Sequence, residues 1–286
     1  MRSNGSHSQA LSPSESRSSA VFSRMSAQIG RLAKSASTDN VHKFRTNSRR
    51  IEALVSELAP ENGNRKKLLK LLSKFRKKAG KVRDLDVQIA LLTELNVPDR
   101  QNHRTQLLEW LHSEQLQRKQ KLEKSFDAAT AAELKKRLRR VQDEVELCGI
   151  DLLKLARKRL PDPGTTPLSE RMLHACRVQA KRARYLAELA PDSADSRFFV
   201  ETLKRAQDAV GEWHDIVKLK ERAEKLFGSV HDSALVAVLQ NVGRSKFRRA
   251  ANALLTAIAE LSESRKAVES VPSKTAGRAE QQNAVA

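Results

Sequence analysis

Apolar residues recur along most of this chain at the three- and four-residue spacing of an amphipathic helix. Between residues 21 and 34, for example, Phe22, Met25, Ile29 and Leu32 fall on one side of a helix. The spacing predicts an all-α fold, and the abundance of Leu, Ala, Lys, Arg and Glu agrees, since all five are good helix formers. The predicted helices cover approximately residues 21–34, 38–60, 65–79, 84–96, 99–128, 131–160, 167–190, 196–210, 214–226 and 232–262.

Several residues indicate where these helices begin and end. The run Ser37-Thr38-Asp39 supplies an N-cap for the second helix. Gly80 is placed to end the third helix, and Asp84 is placed to cap the fourth. Thr166 followed by Pro167 fits an N-cap and a first helical position. We therefore expect a break in the chain at each of these places.

The polar segments outline one folded region. Residues 1–20 are rich in serine and lack periodicity, and the tail from about residue 268 is polar. We expect a disordered leader at 1–20 and a disordered tail at 268–286. Between them, residues 21–262 form the folded part, and the Pro/Gly-rich linker at 161–167 is its clearest interruption.

Two unlike motifs each occur twice in the folded region. The pattern His-x-x-Arg-x-x-x-(Lys/Arg)-Arg occupies residues 42–50 and again 174–182. The pattern Gly-x-x-(Arg/His)-Asp occupies residues 80–84 and again 211–215. Both pairs are separated by about 130 residues, which indicates an internal duplication. We take repeat one as about 21–128 and repeat two as about 131–262, with the linker 161–167 inside repeat two.

The first motif places cations in a row on one side of a helix. At about 100° per residue, His42, Arg45 and Arg49 fall within about 60° of one another, and their row is about 10 Å long. Phe44 and Ile51 lie on the opposite, apolar side. The second motif repeats this arrangement, so each repeat is expected to be a helical bundle with one cationic stripe. Duplicated bundles usually pack about a pseudo-two-fold axis, which would bring the two stripes together as walls of one groove or pore.

Composition supports a polyanionic partner. The chain has 286 residues, with 54 Lys and Arg against 34 Asp and Glu, and a formal charge of +20. The candidate partners are nucleic acid, an anionic membrane or inorganic polyphosphate. No apolar stretch is long enough for a transmembrane helix. The two cysteines, Cys148 and Cys176, have no metal-type spacing, and we expect buried thiols rather than a disulfide.

The two repeated motifs resemble those of the CHAD (conserved histidine α-helical) domain, and the resemblance covers about residues 21–262. It implies two pseudo-symmetric four-helix bundles around a central basic channel that binds inorganic polyphosphate, and some members associate with polyphosphate granules. The residues that match the motif positions, and are therefore expected as polyphosphate ligands, are His42, Arg45, Arg49, Arg50, Arg83, His174, Arg177, Lys181, Arg182 and His214. We accordingly expect a cytoplasmic protein that binds polyphosphate without catalysis and needs no cofactor or metal.

Two other functions stay open at this point. Binding of RNA or DNA would use the same basic surface, but single strands are bound by stacking on aromatic rings, and only 4% of the residues are Phe, Trp or Tyr. A phosphohydrolase or histidine phosphocarrier would need carboxylates that hold metal ions near the phosphates. Asp84 and Asp215 are the motif carboxylates, and we interpret each as a helix N-cap or as the partner of a basic neighbour.

Overall fold

The computed structural model describes residues 13–95, 97, 101–145, 150–162 and 168–269. Nine α-helices occupy these described ranges, which contain no strand, so the predicted all-α class is confirmed. The helices in chain order are α1 (Pro13–Lys34), α2 (Thr38–Leu58), α3 (Gly63–Glu94), α4 (His103–Ser125), α5 (Ala128–Gln142), α6 (Leu152–Lys158), α7 (Glu170–Ala187), α8 (Ala194–Phe227) and α9 (Ala234–Glu269). None of them combines the length and apolar character that crossing a bilayer requires.

The predicted breaks at the two motif glycines are wrong. Helix α3 continues through Gly80 and Asp84, and α8 continues through the segment 211–213, where a gap between two helices was expected. A glycine ends a helix when it adopts a positive φ angle, and neither Gly80 nor Gly211 does so. Asp84 is therefore not an N-cap. The core contacts that each helix makes before and after its glycine outweigh the low helix propensity of glycine, which costs about 1 kcal/mol relative to alanine.

Other boundaries differ by smaller amounts. The expected helix 131–160 is two helices, because α5 ends at Gln142 and Asp151 caps α6 by accepting from the Lys154 amide at 2.9 Å. Helix α1 begins at Pro13, within the predicted leader. Ser37 caps α2 as expected, and Ser169 caps α7. Cys148, residues 163–167 with the predicted Thr166 cap, residues 1–12 and residues 270–286 lie outside the described residues.

The first hydrophobic core is formed mainly by the N-terminal half of the chain. It joins α1, α2, the first half of α3 and α5, and the Phe126 ring packs edge-on against Phe44 and Phe75 at centroid distances of 5.3 and 4.9 Å. Helices α6 to α9 have their own cores, which include Leu186, Phe199 and Trp213. Each half of the chain thus buries one face of its motif helix.

A further core joins the two halves. It is built from the second half of α3, α4, the second half of α8 and the start of α9, with Leu85, Leu111, Leu219 and Leu239 among its members. On both α3 and α8, the repeated Gly-x-x-(Arg/His)-Asp motif lies where the helix passes from its own core into this shared one. The fold therefore holds Arg83 and His214 near the middle of the molecule. The internal duplication and a closed pore stay predictions.

Candidate functional site

The two motif helices, α2 and α7, pack against each other and form a cleft with α3. The cleft has a volume of about 370 Å³. Its cationic lining comes from all three helices and consists of Arg49, Arg76, Arg177, Lys181 and Arg182. The same cleft contains two carboxylates, those of Glu52 and Glu57. The structure thus brings Arg49 of the first motif beside Arg177, Lys181 and Arg182 of the second.

Most of the cations in this cleft lack a counter-ion. Arg76 donates to Glu52 at 2.8 Å. Among the described residues, no carboxylate lies within ion-pair distance of Arg49, Arg177, Lys181 or Arg182. The Arg177 Nε is buried and has no hydrogen-bond partner. A buried donor without a partner costs about 1–3 kcal/mol, so the cleft contains cations that an added anion would stabilise.

The charge state of Lys181 is altered by this environment. Burial, followed by the neighbouring charges of Arg177 and Arg49, lowers the pKa of Lys181 to about 6, and Asp215 only partly opposes the shift. Burial also lowers the pKa of Arg45 to about 10, against the opposing effect of Asp84. Both shifts have the same physical cause: burial disfavours the charged form, and the nearby carboxylates only partly compensate.

The two motif histidines lie beside the residue that precedes the motif aspartate. The His174 and His214 rings stack with centroids 5.6 Å apart. Burial, then His214 and Arg177, lower the pKa of His174. Partial burial, then Arg83 and Arg45, lower the pKa of His42, although both motif histidines are exposed residues. Each motif histidine is thus paired with the residue that precedes a motif aspartate, His42 with Arg83 and His174 with His214.

Gly80 is needed for the position of Arg45. The Arg45 guanidinium lies directly over this glycine, and a Cβ added there would overlap Nη1. The same guanidinium donates to the Arg76 carbonyl at 3.4 Å and to Asp84 Oδ1 at 3.5 Å. At the matching position of repeat two, nothing lies within 4 Å of a Cβ added to Gly211. The first motif glycine is thus a close-approach site, which its sequence context did not reveal.

The motif aspartates pair with neighbouring bases. Asp84 accepts from Arg45 as described, and Asp215 Oδ1 lies 3.3 Å from His214 Nδ1. Of the two interpretations of these residues, the helix cap is wrong and the partnership with a basic neighbour is observed. Within the described part of the chain, no group of three or more His, Cys, Asp or Glu side chains is arranged to hold a metal ion.

One predicted ligand has a different environment. Arg50 Nε donates to Glu188 at 2.7 Å, and Arg184 donates to the same carboxylate at 2.6 Å. Arg50 also lies 5.9 Å from the centroid of the Tyr185 ring. These contacts join α2 to the end of α7 across the two repeats. Arg50 therefore serves the packing of the motif helices, in addition to any contact it makes with a ligand.

Two cations near the site have no place in the repeated motifs. Arg76 lines the cleft from α3, two helical turns before Arg83. Arg222 lies 5.2 Å from the centroid of Trp110, and burial lowers its pKa, with Asp84 as the strongest opposing charge. Arg222 follows Asp215 by two turns of α8, so helical spacing from the motif could have identified it. Arg76 stands among many lysines of α3, and nothing in its sequence context sets it apart.

The fold and the cleft define a class: an all-α protein whose two halves have their own hydrophobic cores and are joined by a shared core, with unpaired cations between its motif helices. The sequence matches the CHAD domain family over residues 19–224, and the chain belongs to that family. The predicted resemblance is thereby confirmed. A comparison with curated protein sequences gives no match.

Two solved structures share this fold. The crystal structure of the CHAD domain from the plant Ricinus communis is 16% identical, with a TM-score of 0.59 and coverage of 92% of each chain. The structure of PptA from Streptomyces chartreusis is 15% identical, with a TM-score of 0.61, and covers 86% of this chain and 99% of that one. At these identities the likeness concerns the fold alone.

Proposed function

We propose that this chain binds inorganic polyphosphate in the cleft between α2 and α7, without a chemical step. The observation that supports the proposal most is the convergence of unpaired cations from two helices. Arg49, Arg177 and Lys181 lie around one cleft, and no carboxylate is within ion-pair distance of any of them among the described residues. Such a cluster repels itself until a linear polyanion neutralises it.

The types of side chain suit phosphate oxygens. An arginine can bind a phosphate through two parallel N–H bonds, and Arg177 has a buried donor available for one. Burial and the neighbouring arginines lower the pKa of Lys181 to about 6, so its ammonium form is disfavoured in the free protein. A phosphate beside it favours the ammonium form, so binding takes up a proton. The histidines His42 and His174, with lowered pKa values, respond in the same direction.

The lining of the cleft favours polyphosphate over nucleic acid. Tyr185 is its one aromatic residue within the described chain, and the ring is 5% exposed. The guanidinium groups of Arg184 and Arg50 lie 4.8 and 5.9 Å from its centroid. This ring therefore offers no open face on which a base could stack. A polyphosphate has no bases and loses nothing by this arrangement.

Binding without hydrolysis agrees with the motif carboxylates. Phosphoryl transfer usually requires carboxylates that hold metal ions at the phosphates. Here Asp84 and Asp215 face Arg45 and His214, where they balance part of the local positive charge. We expect the same role when polyphosphate is bound. Association with polyphosphate granules would follow directly from this binding.

A competition experiment tests the proposed function. Labelled long-chain polyphosphate is bound to the full chain, and unlabelled polyphosphate or single-stranded RNA of matched total charge is added. We expect polyphosphate to compete at least tenfold better than RNA, and no phosphate to be released in the presence of Mg²⁺. Equal competition by RNA would contradict the proposed ligand, and steady release of phosphate would contradict the absence of catalysis.

A further inference from the structure

Helix α3 exposes a second row of cations on its outer face. Five exposed lysines follow one another at alternating spacings of three and four residues, and we call them the lysine ridge: Lys67, Lys70, Lys74, Lys77 and Lys81. At 1.5 Å per residue the ridge is about 21 Å long, roughly twice the row from His42 to Arg49. The core residues of α3, such as Leu72 and Phe75, lie on the opposite side of the helix.

The lysine ridge has no acidic partners. Helix α3 contains no Asp or Glu from Gly63 to Arg83. Nearby arginines of this helix are paired, since Arg65 contacts Glu61 at 3.5 Å and Arg76 contacts Glu52 at 2.8 Å. No ridge lysine forms an ion pair with a described residue. Ordinary solvated helix faces mix the two signs of charge, so this unmixed row is unusual.

The lysine ridge is continuous with the cleft site. Ser73 of α3 lines the cleft, and it lies three residues after Lys70 and four before Lys77, so these two lysines are its neighbours on the helix surface. On its other side, Lys78 and Lys81 share a surface depression of about 300 Å³ with Arg118 and Lys121 of α4. A positive surface thus extends from the middle of the molecule, around α3, to the edge of α4.

From this geometry we infer that the lysine ridge binds the part of a polyphosphate chain that extends beyond the cleft. This inference depends on the proposed function. The ridge would make affinity depend on chain length, because a short oligophosphate fills the cleft alone, whereas a long chain also neutralises the lysines. Polyphosphate is favoured over RNA here too, because the one aromatic residue of α3, Phe75, is only 2% exposed and cannot stack on a base.

The test uses a matched pair of fourfold variants of the full chain. The ridge variant changes Lys67, Lys70, Lys74 and Lys77 to glutamine. The control variant changes an equal number of exposed cations on α5 to glutamine, namely Lys135, Lys136, Arg139 and Arg140. Affinities for tripolyphosphate and for long-chain polyphosphate are measured for both variants and for the unchanged protein. Thermal melting confirms that each variant is folded.

We expect the ridge variant to lose on the order of tenfold to a hundredfold in affinity for long-chain polyphosphate. For this variant the slope of log K for long-chain polyphosphate against the logarithm of the salt concentration should become shallower by about 3, since four lysine contacts are lost and each contributes about 0.7 to the slope. Its affinity for tripolyphosphate should change less than about threefold, and the control variant should resemble the unchanged protein with both ligands.

The possible failures can be told apart. Equal losses in the ridge and control variants, or an unchanged long-chain affinity in the ridge variant, would overturn the inference while tripolyphosphate still bound in the cleft. A ridge variant that loses RNA binding but keeps polyphosphate binding would also overturn it and would assign the ridge to RNA. If neither phosphate binds the unchanged protein, the proposed function itself fails.

Discussion

Replacing Arg45 and Arg177 together by alanine is expected to weaken polyphosphate binding about a hundredfold or more. Arg177 lines the cleft, and Arg45 donates to the carbonyl of the cleft residue Arg76. Both arginines are largely buried, and a lost charge-assisted hydrogen bond costs about 1.5–3 kcal/mol. Two such losses correspond to at least two factors of ten. The loss of Arg45 also leaves Asp84 without its partner, and that carboxylate then repels phosphate. The measurement is the affinity for long-chain polyphosphate at constant salt.

The control for this prediction removes the same amount of charge elsewhere. Lys135 and Lys136 are exposed on α5 and form no ion pair with a described residue. Their joint replacement by alanine should change the affinity less than about threefold. Equal losses in the two double variants would show that bulk charge does the binding, and the cleft would then have no special role.

The glycine beneath Arg45 offers a check that leaves the charge unchanged. In Gly80→Ala the new methyl group displaces the Arg45 guanidinium, so affinity should fall, while the helix itself gains about 0.5–1 kcal/mol from the better helix former. Gly211→Ala has open space around it and should leave affinity unchanged. A loss of affinity without a loss of stability would separate the position of Arg45 from the integrity of the fold.

Lys181 should show opposite effects on stability and on binding. Its pKa is about 6 in the folded chain and near 10.5 when unfolded, so the unfolded chain binds more protons between these pH values. Lys181 therefore destabilises the fold fully below about pH 6, and the penalty disappears as pH rises toward 10.5. Lys181→Met should raise the free energy of unfolding by about 1 kcal/mol or more near pH 6, and by much less near pH 10. Chemical denaturation at the two pH values measures both gains.

Binding should depend on pH in the reverse sense. Binding of the phosphate chain requires the protonated form of Lys181, and this form becomes rarer as the pH rises above the pKa of about 6. The affinity should therefore fall by up to tenfold per pH unit above pH 6. Lys181→Arg keeps the positive charge at every pH in this range, so the affinity of this variant should fall less with rising pH than that of the unchanged protein. The pH dependence that remains in the variant would come from His42 and His174. If the unchanged protein and Lys181→Arg gave parallel pH profiles, Lys181 would not face the ligand.

The helices were largely predictable, and the failures have identifiable causes. Apolar spacing located the helical regions of the described chain, because each helix buries one face against a core, but it merged α5 and α6 into one helix. The same spacing could not show that α3 and α8 continue through their glycines. That outcome depends on the core that α3 and α8 share, whose members Leu85 and Leu219 are far apart in sequence. A local pattern of apolar residues cannot predict contacts between residues so far apart in the sequence.

The sequence could predict the part of the site that depends only on which side chains share one face of a helix. Two copies of one stripe on two helices indicated a shared basic surface, and Arg49, Arg177 and Lys181 do line one cleft. The pairing of Arg50 with Glu188 could not be foreseen, because 138 positions separate the two residues. The sequence shows the lysine ridge as a stretch without acidic residues, but only the folded structure shows that the ridge lies beside the cleft.

The most direct measurement is the affinity of the full chain for long-chain polyphosphate across a salt series. With about eight phosphate contacts at about 0.7 each, log K should fall against log salt with a slope of roughly −5 to −6, or steeper if the lysine ridge contributes. In the Arg45→Ala, Arg177→Ala variant the slope should become shallower by about 1.4. A shallow slope in the unchanged protein, or the same slope in both proteins, would contradict a phosphate chain held by the cations of the cleft.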